Sequence, residues 1–382
     1  MKKALLLTAT LALLAPVMAG QLRALENTTP GQTSKTVWID TDIAIGEKRP
    51  EGGGYADVDD AYALLQIISA PHLHIAGVST VFGNTTLPKA IKIAQKIGRR
   101  FATSDMPVYP GSDSALNLEH LQTNPAVRAL AEALQKQKMT LMAIGPATNI
   151  AKLILLHPEV LPNIDEIVLV AGRRSASYHF DIGDNALPFP DLNFELDPVA
   201  FQIILQTEIP VTLCPFEISS KVWISENDLG TLAESGSAGR FLAKNSVPWL
   251  NNWYEFGSQG FNPFDALASH YLRHPGQVQY HELNVHLAYY PDDTQPIEKE
   301  VIPTFKPYLI CNKTAGRTIR YCFAPKPGLK EQLLKDLKFK KDLKGGVYNL
   351  KNNKLVFLRK GFELNDLKNS KEFILSGGVP TK

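Results

Sequence analysis

Five aspartates crowd a short stretch near the start of the chain: Asp40 and Asp42, followed by Asp57, Asp59 and Asp60. Carboxylates at this density repel one another unless a cation lies among them. If the chain folds Asp42 against Asp60, their oxygens form a hard anionic pocket of the kind that binds Ca²⁺ or Mg²⁺. The alternative is that the second group only caps and charges the N-terminus of a helix, where acidic residues are favoured in any case.

The sequence around these aspartates predicts an α/β fold. Short apolar runs typical of buried strands alternate with longer segments of helical periodicity, and this alternation indicates a mostly parallel sheet flanked by helices. Strands are predicted over 37–39, 73–79, 140–143, 166–170 and 211–213, and helices over 59–69, 88–100, 125–137, 149–157 and 197–206. Sites in such sheets lie at the carboxyl ends of the strands. We therefore expect Asp42, Asn84, Ile144 and Arg173 on one rim of the sheet.

The composition and net charge indicate what kind of molecule the protein binds. The chain has 382 residues, 44% of them hydrophobic, and a formal net charge of only +2. A charge this small, without a basic stripe interleaved with aromatics, argues against nucleic acid and for a small-molecule partner. We predict one α/β domain over 36–324 and a basic C-terminal α+β extension over 325–382, with a helix over 331–344 and a hairpin over 347–358. The lysines of the extension form either a solvated face or a surface attracted to anionic envelopes.

The N-terminus has the pattern of a secretory signal peptide. Lys2 and Lys3 precede an apolar run over 4–16 that is too short to span a membrane, and small residues end at Ala19. Residues 1–19 are therefore predicted to be cleaved, residues 20–35 to form a linker, and the protein to be secreted or periplasmic without a transmembrane segment. In an oxidising compartment Cys311 and Cys322, which flank a predicted hairpin, are candidates for a cross-strand disulfide.

Five ordered motifs resemble the nucleoside hydrolase family, the inosine-uridine preferring hydrolases. Asp-Thr-Asp at 40–42 with Asp-Asp-Ala-Tyr-Ala at 59–63 resembles the opening motif of the family, although the segment 43–58 is a long insert. The other four are Gly-Asn at 83–84, Ile-Gly-Pro-Ala-Thr-Asn at 144–149, the stretch 185–198 with its asparagines and Asp-Pro, and Asn-Pro-Phe-Asp-Ala at 262–266. The resemblance implies hydrolysis of the N-glycosidic bond of ribonucleosides to free base and ribose, for nucleoside salvage.

The resemblance also implies a role for each matching residue. Calcium would be held by Asp42, Asp60, the Ile144 carbonyl and Asp265, and Asp42 would serve as general base toward a metal-bound water. The ribose would be bound by residues from three of the motifs: Asp59, Asn84, Asn185, Asp191 and Asn193. A homo-oligomer is a further expectation.

Two departures from the family motif affect chemistry. Asp191 stands where the family has glutamate, so the carboxylate reaches less far toward the ribose. Phe264 stands where many members have a histidine that assists the leaving group, and an aromatic residue there is typical of members that stack on a purine base. Phe264 has no proton to give, so the acid, if one exists, lies elsewhere; Tyr178, His179, Trp253, Tyr254 and His270 are candidates by their position in the sequence.

Two other classes of protein remain open at this stage. Asp-x-Asp after a strand also opens phosphatases with an aspartyl nucleophile, but their downstream Ser/Thr, Lys and acidic residues are not apparent here. A periplasmic nucleoside-binding protein that has lost turnover would also fit Phe264, Asp191 and the insert.

Overall fold

The computed structural model describes residues 34–49, 54–183, 188–295, 302–339, 346–350, 354–358 and 374–375. Nine of the described strands form one sheet in the order β3-β2-β1-β4-β5-β6-β9-β7-β8. From β3 to β9 the neighbours pair in parallel, which confirms the predicted mostly parallel sheet. The strands of this part are β1 (Lys35–Thr41), β2 (Leu73–Thr80), β3 (Val108–Pro110), β4 (Met139–Ala143), β5 (Ile164–Leu169), β6 (Val211–Leu213) and β9 (Arg317–Pro325).

Helices cover both faces of the sheet. Those before β7 are α1 (Asp59–Ser69), α2 (Leu87–Phe101), α3 (Pro125–Lys136), α4 (Thr148–Leu156), α5 (Leu192–Leu196), α6 (Pro198–Leu205), α7 (Phe216–Ser219), α8 (Glu226–Ser235), α9 (Ser237–Glu255) and α10 (Ala266–Arg273). Side chains alternate along β1, so Val37 and Ile39 join the core cluster that includes α1, whereas Trp38 joins the cluster that includes α3. Burial on both faces explains why β1 is apolar from Val37 to Ile39.

The antiparallel end of the sheet corrects the disulfide prediction. Strand β7 (Val278–Pro291) lies between β8 (Phe305–Asn312) and β9 and pairs antiparallel with both. The predicted hairpin between the segments around Cys311 and Cys322 is therefore wrong, because consecutive strands β8 and β9 are not neighbours. Both thiols are free. Cys322 instead lies beside Cys214, because β9 runs parallel to β6 with Leu213 opposite Tyr321.

The C-terminal extension begins with a helix that packs on the main domain. Helix α11 (Leu329–Asp336) buries leucines in the same core cluster as α1, and it is shorter than the predicted helix over 331–344. The predicted hairpin over 347–358 is present as β10 (Gly346–Leu350) paired antiparallel with β11 (Lys354–Leu358), which also pairs with β12 (Ile374–Leu375). The predicted domain boundary at 325 stays a prediction, and the signal peptide and linker lie outside the described residues. Among the described helices, none combines the length and the apolar character that crossing a bilayer requires.

A buried histidine on α10 should make its own contribution to stability fall as the pH falls. His270 on α10 is fully buried, its Nε2 lies 2.7 Å from Gln277 Oε1, and burial lowers its pKa from 6.5 to about 4. Between these two values the unfolded chain binds a proton that the folded chain does not, so stability falls as the pH falls. We expect this residue alone to lower the free energy of unfolding by about 2 kcal/mol between pH 7 and pH 5.

Urea unfolding of His270→Gln at the two pH values measures this contribution. Glutamine has no group that titrates here, so the variant should lose less stability than the wild type on acidification. The control is His120→Gln at an exposed position, which should keep the wild-type pH dependence. Equal pH slopes for His270→Gln and the wild type would contradict the assignment.

Candidate active site

The insert returns the second group of aspartates to the first by forming a hairpin. The backbone N–H of Gly46 donates to the Asp57 carbonyl at 3.1 Å, and that of Ala56 donates to the Glu47 carbonyl at 2.8 Å. We call residues 46–49 and 54–57 the insert hairpin; residues 50–53 lie outside the described residues. Because the hairpin closes on itself, Asp42 and the first turn of α1 meet in spite of the long insertion.

The insert hairpin is seated on helix α9. A side chain at Gly46, whose φ is +68°, would place its Cβ 2.1 Å from the backbone oxygen of Asn245. Further along α9, Asn252 Nδ2 donates to the Tyr55 carbonyl at 3.3 Å. The hairpin is thus fixed at both of its described strands to the helix that forms one side of the site.

Asp42 is held with one carboxylate oxygen engaged and the other free. Its Oδ2 accepts a hydrogen bond from the backbone N–H of Asn84 at 2.7 Å, whereas its Oδ1 is buried without a hydrogen-bond partner. Two glycines make the space for this carboxylate, because a Cβ at Gly83 or Gly145 would lie 2.0 or 2.9 Å from its oxygens. Gly83 of the Gly-Asn motif and Gly145 of the Gly-Pro motif therefore both leave room for the Asp42 carboxylate.

Five buried carboxylates converge on this point. Asp42 and Asp60 have no exposed surface, and Asp59, Asp265 and Asp57 are 2, 4 and 8% exposed. Burial, reinforced by the neighbouring carboxylates, raises the pKa values of Asp42, Asp57, Asp60 and Asp265 well above the usual range. For Asp59 burial raises the pKa to about 6, although the N–H of Asp265, 2.9 Å from Asp59 Oδ2, opposes the shift. Burying these carboxylates in the charged form costs free energy of folding unless a positive charge lies among them.

These residues fit a hard divalent cation. Oxygens of Asp57, Asp59 and Asp60 lie within 4.8 Å of one another. The Oδ1 atom of Asp57 is buried without a hydrogen-bond partner, so it is available as a ligand. Asp57 belongs to this cluster although the family motif did not identify it as a ligand. The Ile144 carbonyl accepts from Asn193 Nδ2 at 3.3 Å, and its part in metal binding stays a prediction.

A cavity of about 360 Å³ opens above the carboxylates. Asp57, Asp59, Asp265 and Asn84 form its acidic floor. One wall is aromatic and contains Phe180, Phe189, Phe216, Trp249, Phe256 and Phe264. Asp191 and Asn193 also line the cavity, and the insert hairpin adds Arg49 and Tyr55. A flat apolar group and a polyhydroxylated group could therefore be bound side by side.

The predicted ribose-binding residues are placed at the cavity with one exception. Asp191 Oδ2 accepts from the backbone N–H of Gly172 at 2.7 Å, and burial raises the pKa of Asp191 to about 6. Asn193 Nδ2 donates to the Val170 carbonyl at 3.1 Å, in addition to its contact with the Ile144 carbonyl. Asn185 lies outside the described residues.

None of the sequence-based candidates for a leaving-group acid lines the cavity. His179 contacts Asp293, His270 contacts Gln277, and Trp253 lies behind Phe264 with ring centroids 5.9 Å apart. Arg49 and Tyr55 were not predicted from the sequence, because the insert has no counterpart in the family motif. A signal was nevertheless available, since a segment that joins two aspartates of one site begins and ends beside that site.

Replacing Gly83 by alanine should displace the general-base candidate. The added Cβ would lie 2.0 Å from Asp42 Oδ2, a distance that forces the carboxylate out of its position. We expect Gly83→Ala to destabilise the fold by about 1–3 kcal/mol and to lower activity by roughly 10²-fold, since small misplacements of reacting groups are costly. Thermal unfolding and steady-state kinetics measure the two effects.

Gly276→Ala is the matched control, because a Cβ at Gly276 meets nothing within 4 Å. The free energy of unfolding of this variant should stay within a few tenths of a kcal/mol of the wild type, and its activity should be nearly full. Full activity of Gly83→Ala would mean that the position of Asp42 is not critical.

Comparison with known proteins identifies the family to which the chain belongs. The family model for inosine-uridine preferring nucleoside hydrolase matches residues 37–318. The chain therefore belongs to the inosine-uridine preferring nucleoside hydrolase family, a class of hydrolases that act on N-glycosyl compounds.

Curated relatives of the chain are ribonucleoside hydrolases, and solved structures of nucleoside hydrolases share its fold. The chain is 30% identical to the pyrimidine-specific ribonucleoside hydrolase RihA of Photobacterium profundum over 45% of this chain and 61% of that protein. It is 26% identical to the non-specific ribonucleoside hydrolase RihC of Salmonella paratyphi B over 57% of this chain and 76% of that protein. The fold is similar to that of a purine-preferring ribonucleoside hydrolase from Gardnerella vaginalis, with a TM-score of 0.61 at 18% identity, covering 80% of this chain and 98% of the other.

Proposed function

We propose that this protein hydrolyses the N-glycosidic bond of ribonucleosides and releases the free base and ribose. The observation that carries the proposal is the cavity, in which a floor of buried carboxylates lies beside an aromatic wall. A nucleoside has the matching division into a hydroxylated sugar and a flat base. With the sugar against the carboxylates and the base against the aromatic side chains, each part of a nucleoside would meet side chains of matching polarity.

Asp42 is the residue proposed to take a proton from the attacking water. Its Oδ1 has no partner in the structure while its Oδ2 is fixed by Asn84, so one acceptor is oriented and free. Proton transfer to a carboxylate held in this way contributes typically 10²–10⁴-fold to a rate.

Asp59 and Asn84 are proposed to bind the ribose hydroxyls. Asp59 Oδ1 and Asn84 Oδ1 are both buried acceptors without partners, so each can receive a hydroxyl hydrogen bond. Asp191 and Asn193, which also line the cavity, are proposed to bind the sugar together with Asn185. Holding the ring in one orientation is what makes attack by water in line with the departing base efficient.

The carboxylate cluster is proposed to hold Ca²⁺, with Asp42, Asp60, Asp265 and the Ile144 carbonyl as ligands and Asp57 as an additional one. When bound, such a cation supplies positive charge that offsets the buried carboxylates and makes a nearby water more acidic. The all-oxygen donor set favours calcium or magnesium over softer metals.

The aromatic wall supports binding of the base by stacking. Phe264 lies 6.0 Å from Phe216 and 5.9 Å from Trp253, measured between ring centroids, so it is part of a packed aromatic group. We propose that Phe264 stacks on a purine and that the enzyme serves purine salvage. The named relatives differ in base preference, which leaves the choice to experiment.

Export to the periplasm or medium is part of the same proposal. Its support is the signal-peptide pattern of residues 1–19, and salvage of nucleosides from outside the cell suits an exported hydrolase. The mass of the N-terminal peptide of protein recovered from the producing cells tests it, with cleavage expected after Ala19.

Reducing-sugar release from inosine, adenosine, guanosine, uridine and cytidine tests the activity. We expect release from at least one nucleoside and the largest rates with purines. Calorimetric titration with the same nucleosides is the companion measurement. Binding without sugar release would replace hydrolysis by a nucleoside-binding role, and neither binding nor release would contradict both.

A further inference from the structure

We propose that Arg49, from the insert hairpin, binds the departing base and stabilises the negative charge that develops on it. This inference rests on the proposed function and assigns a role that no residue of the family motif fills in this chain. It concerns the step at which the bond between C1′ and the base nitrogen breaks.

Arg49 is the only cationic side chain among the described residues that line the cavity. Among the described residues that line it, there is no histidine and no lysine, and Phe264 occupies the position from which an acid would act. A leaving base takes the bonding electron pair onto nitrogen, and this charge must be neutralised or stabilised. A guanidinium stays protonated at all relevant pH values, so it acts through charge and hydrogen bonds and gives up no proton.

The position of Arg49 agrees with the base side of the cavity. The insert hairpin is seated on α9 through Gly46 and Tyr55, and α9 also supplies Trp249 to the aromatic wall. The proposed ribose ligands Asp191 and Asn193 lie on other elements. Arg49 therefore lines the cavity from the side of α9, the helix that carries Trp249 of the aromatic wall.

Arg49 also has a buried hydrogen-bond donor that pairs with no described residue. Its Nε is buried and makes no hydrogen bond within the described residues, and Nε1 of the neighbouring Trp249 is in the same state. Two unpaired donors in an aromatic cavity suit the acceptor edge of a base, for which arginine is a common partner. A bound base would satisfy groups that otherwise remain unsatisfied at a cost.

One carboxylate, that of Asp57, interacts with the Arg49 guanidinium. Asp57 is the carboxylate on which Arg49 acts, since Arg49 opposes the rise in the Asp57 pKa that burial and Asp59 cause. A cation in the carboxylate cluster would compete for Asp57 and leave the guanidinium available to the substrate. The overall step is balanced: water adds its hydroxyl to C1′, one water proton passes to Asp42, and the released base takes a proton from solvent.

The test compares a nucleoside with a riboside whose leaving group needs no help. Inosine and p-nitrophenyl β-D-ribofuranoside share the sugar, but nitrophenolate is a stable anion. We expect Arg49→Met to lower kcat/KM for inosine by roughly 10²–10³-fold, the usual effect of losing one charge-stabilising donor. The nitrophenyl riboside should be hydrolysed within about fivefold of the wild-type rate, because Arg49 does not act on its departure.

Lys48→Met is the matched control, an exposed cation on the same hairpin that should leave both substrates unaffected. Arg49→Lys, which keeps the charge and loses the planar fork, should recover part of the inosine activity. Equal losses on both substrates, or no loss on inosine, would overturn the proposal. If the wild type hydrolyses neither substrate, the proposed function itself is wrong and the role of Arg49 falls with it.

Discussion

Replacing Asp42 by asparagine should reduce kcat by roughly 10³-fold while the fold is retained. Asparagine has the same size and can still accept the hydrogen bond from the Asn84 backbone, but it cannot take a proton from water. The substitution also removes one of several buried like charges, so without added metal the variant should unfold at a higher temperature than the wild type. Steady-state kinetics and thermal unfolding in a chelator measure the two effects.

Asp105→Asn provides the control for this prediction, because Asp105 is exposed and far along the chain from the carboxylate cluster. It should change neither kcat nor thermal stability appreciably. Turnover of Asp42→Asn within tenfold of the wild type would remove Asp42 from the role of general base.

Removing divalent cations should abolish most activity and destabilise the protein. Several kcal/mol of transition-state stabilisation are typically lost with a catalytic cation, which corresponds to a rate reduction of at least about 10³-fold. A ligand present at 100 times its dissociation constant stabilises the fold by about 2.7 kcal/mol, so dialysis against a chelator should lower the unfolding temperature by several degrees. Differential scanning calorimetry with and without Ca²⁺ measures the shift.

Asp265→Asn separates specific binding from general salt effects. The variant should lose the calcium-dependent rise in unfolding temperature, whereas Asp105→Asn should keep it. Re-addition of Ca²⁺ and Mg²⁺ to the stripped wild type would identify the preferred ion. An unfolding temperature that does not respond to either ion would contradict a metal site at these carboxylates.

Local sequence signals were sufficient for the parallel part of the fold. Helix α1 begins at Asp59 and ends at Ser69 as predicted, because an apolar helical stripe follows two acidic first-turn residues. Strands β1, β2 and β4 were likewise visible as apolar runs buried on both faces. Their carboxyl ends then placed Asp42, Asn84 and Ile144 together without further information.

Long-range pairing could not be predicted in the same way. The order β9-β7-β8 depends on which strands meet in space, and the sequence near Cys311 and Cys322 resembles a simple hairpin equally well. The turn between them fits a hairpin, whereas the preference of β7 for both partners arises from cross-strand packing along its length. The disulfide prediction failed for this reason.

The candidate site was predicted where it follows the family motif and missed where it does not. Asp59, Asn84 and Asp265 reach the cavity from the motifs that indicated them. Arg49, Tyr55 and Asp57 belong to the insert or its end, so their positions depend on how the hairpin is seated on α9. That seating involves Gly46 and Asn245, residues about 200 positions apart, and no local pattern encodes it.

The parallel pairing of β6 with β9 has a consequence for the order of folding. Thr212 and Leu213 have Arg320 and Tyr321 as their neighbours, although more than a hundred residues separate the two strands. During synthesis the edge of β6 must stay open until β9 emerges, and pairings this distant in sequence form slowly. Until then the nascent sheet presents an unpaired apolar edge, which makes this the point at which chaperone protection matters most.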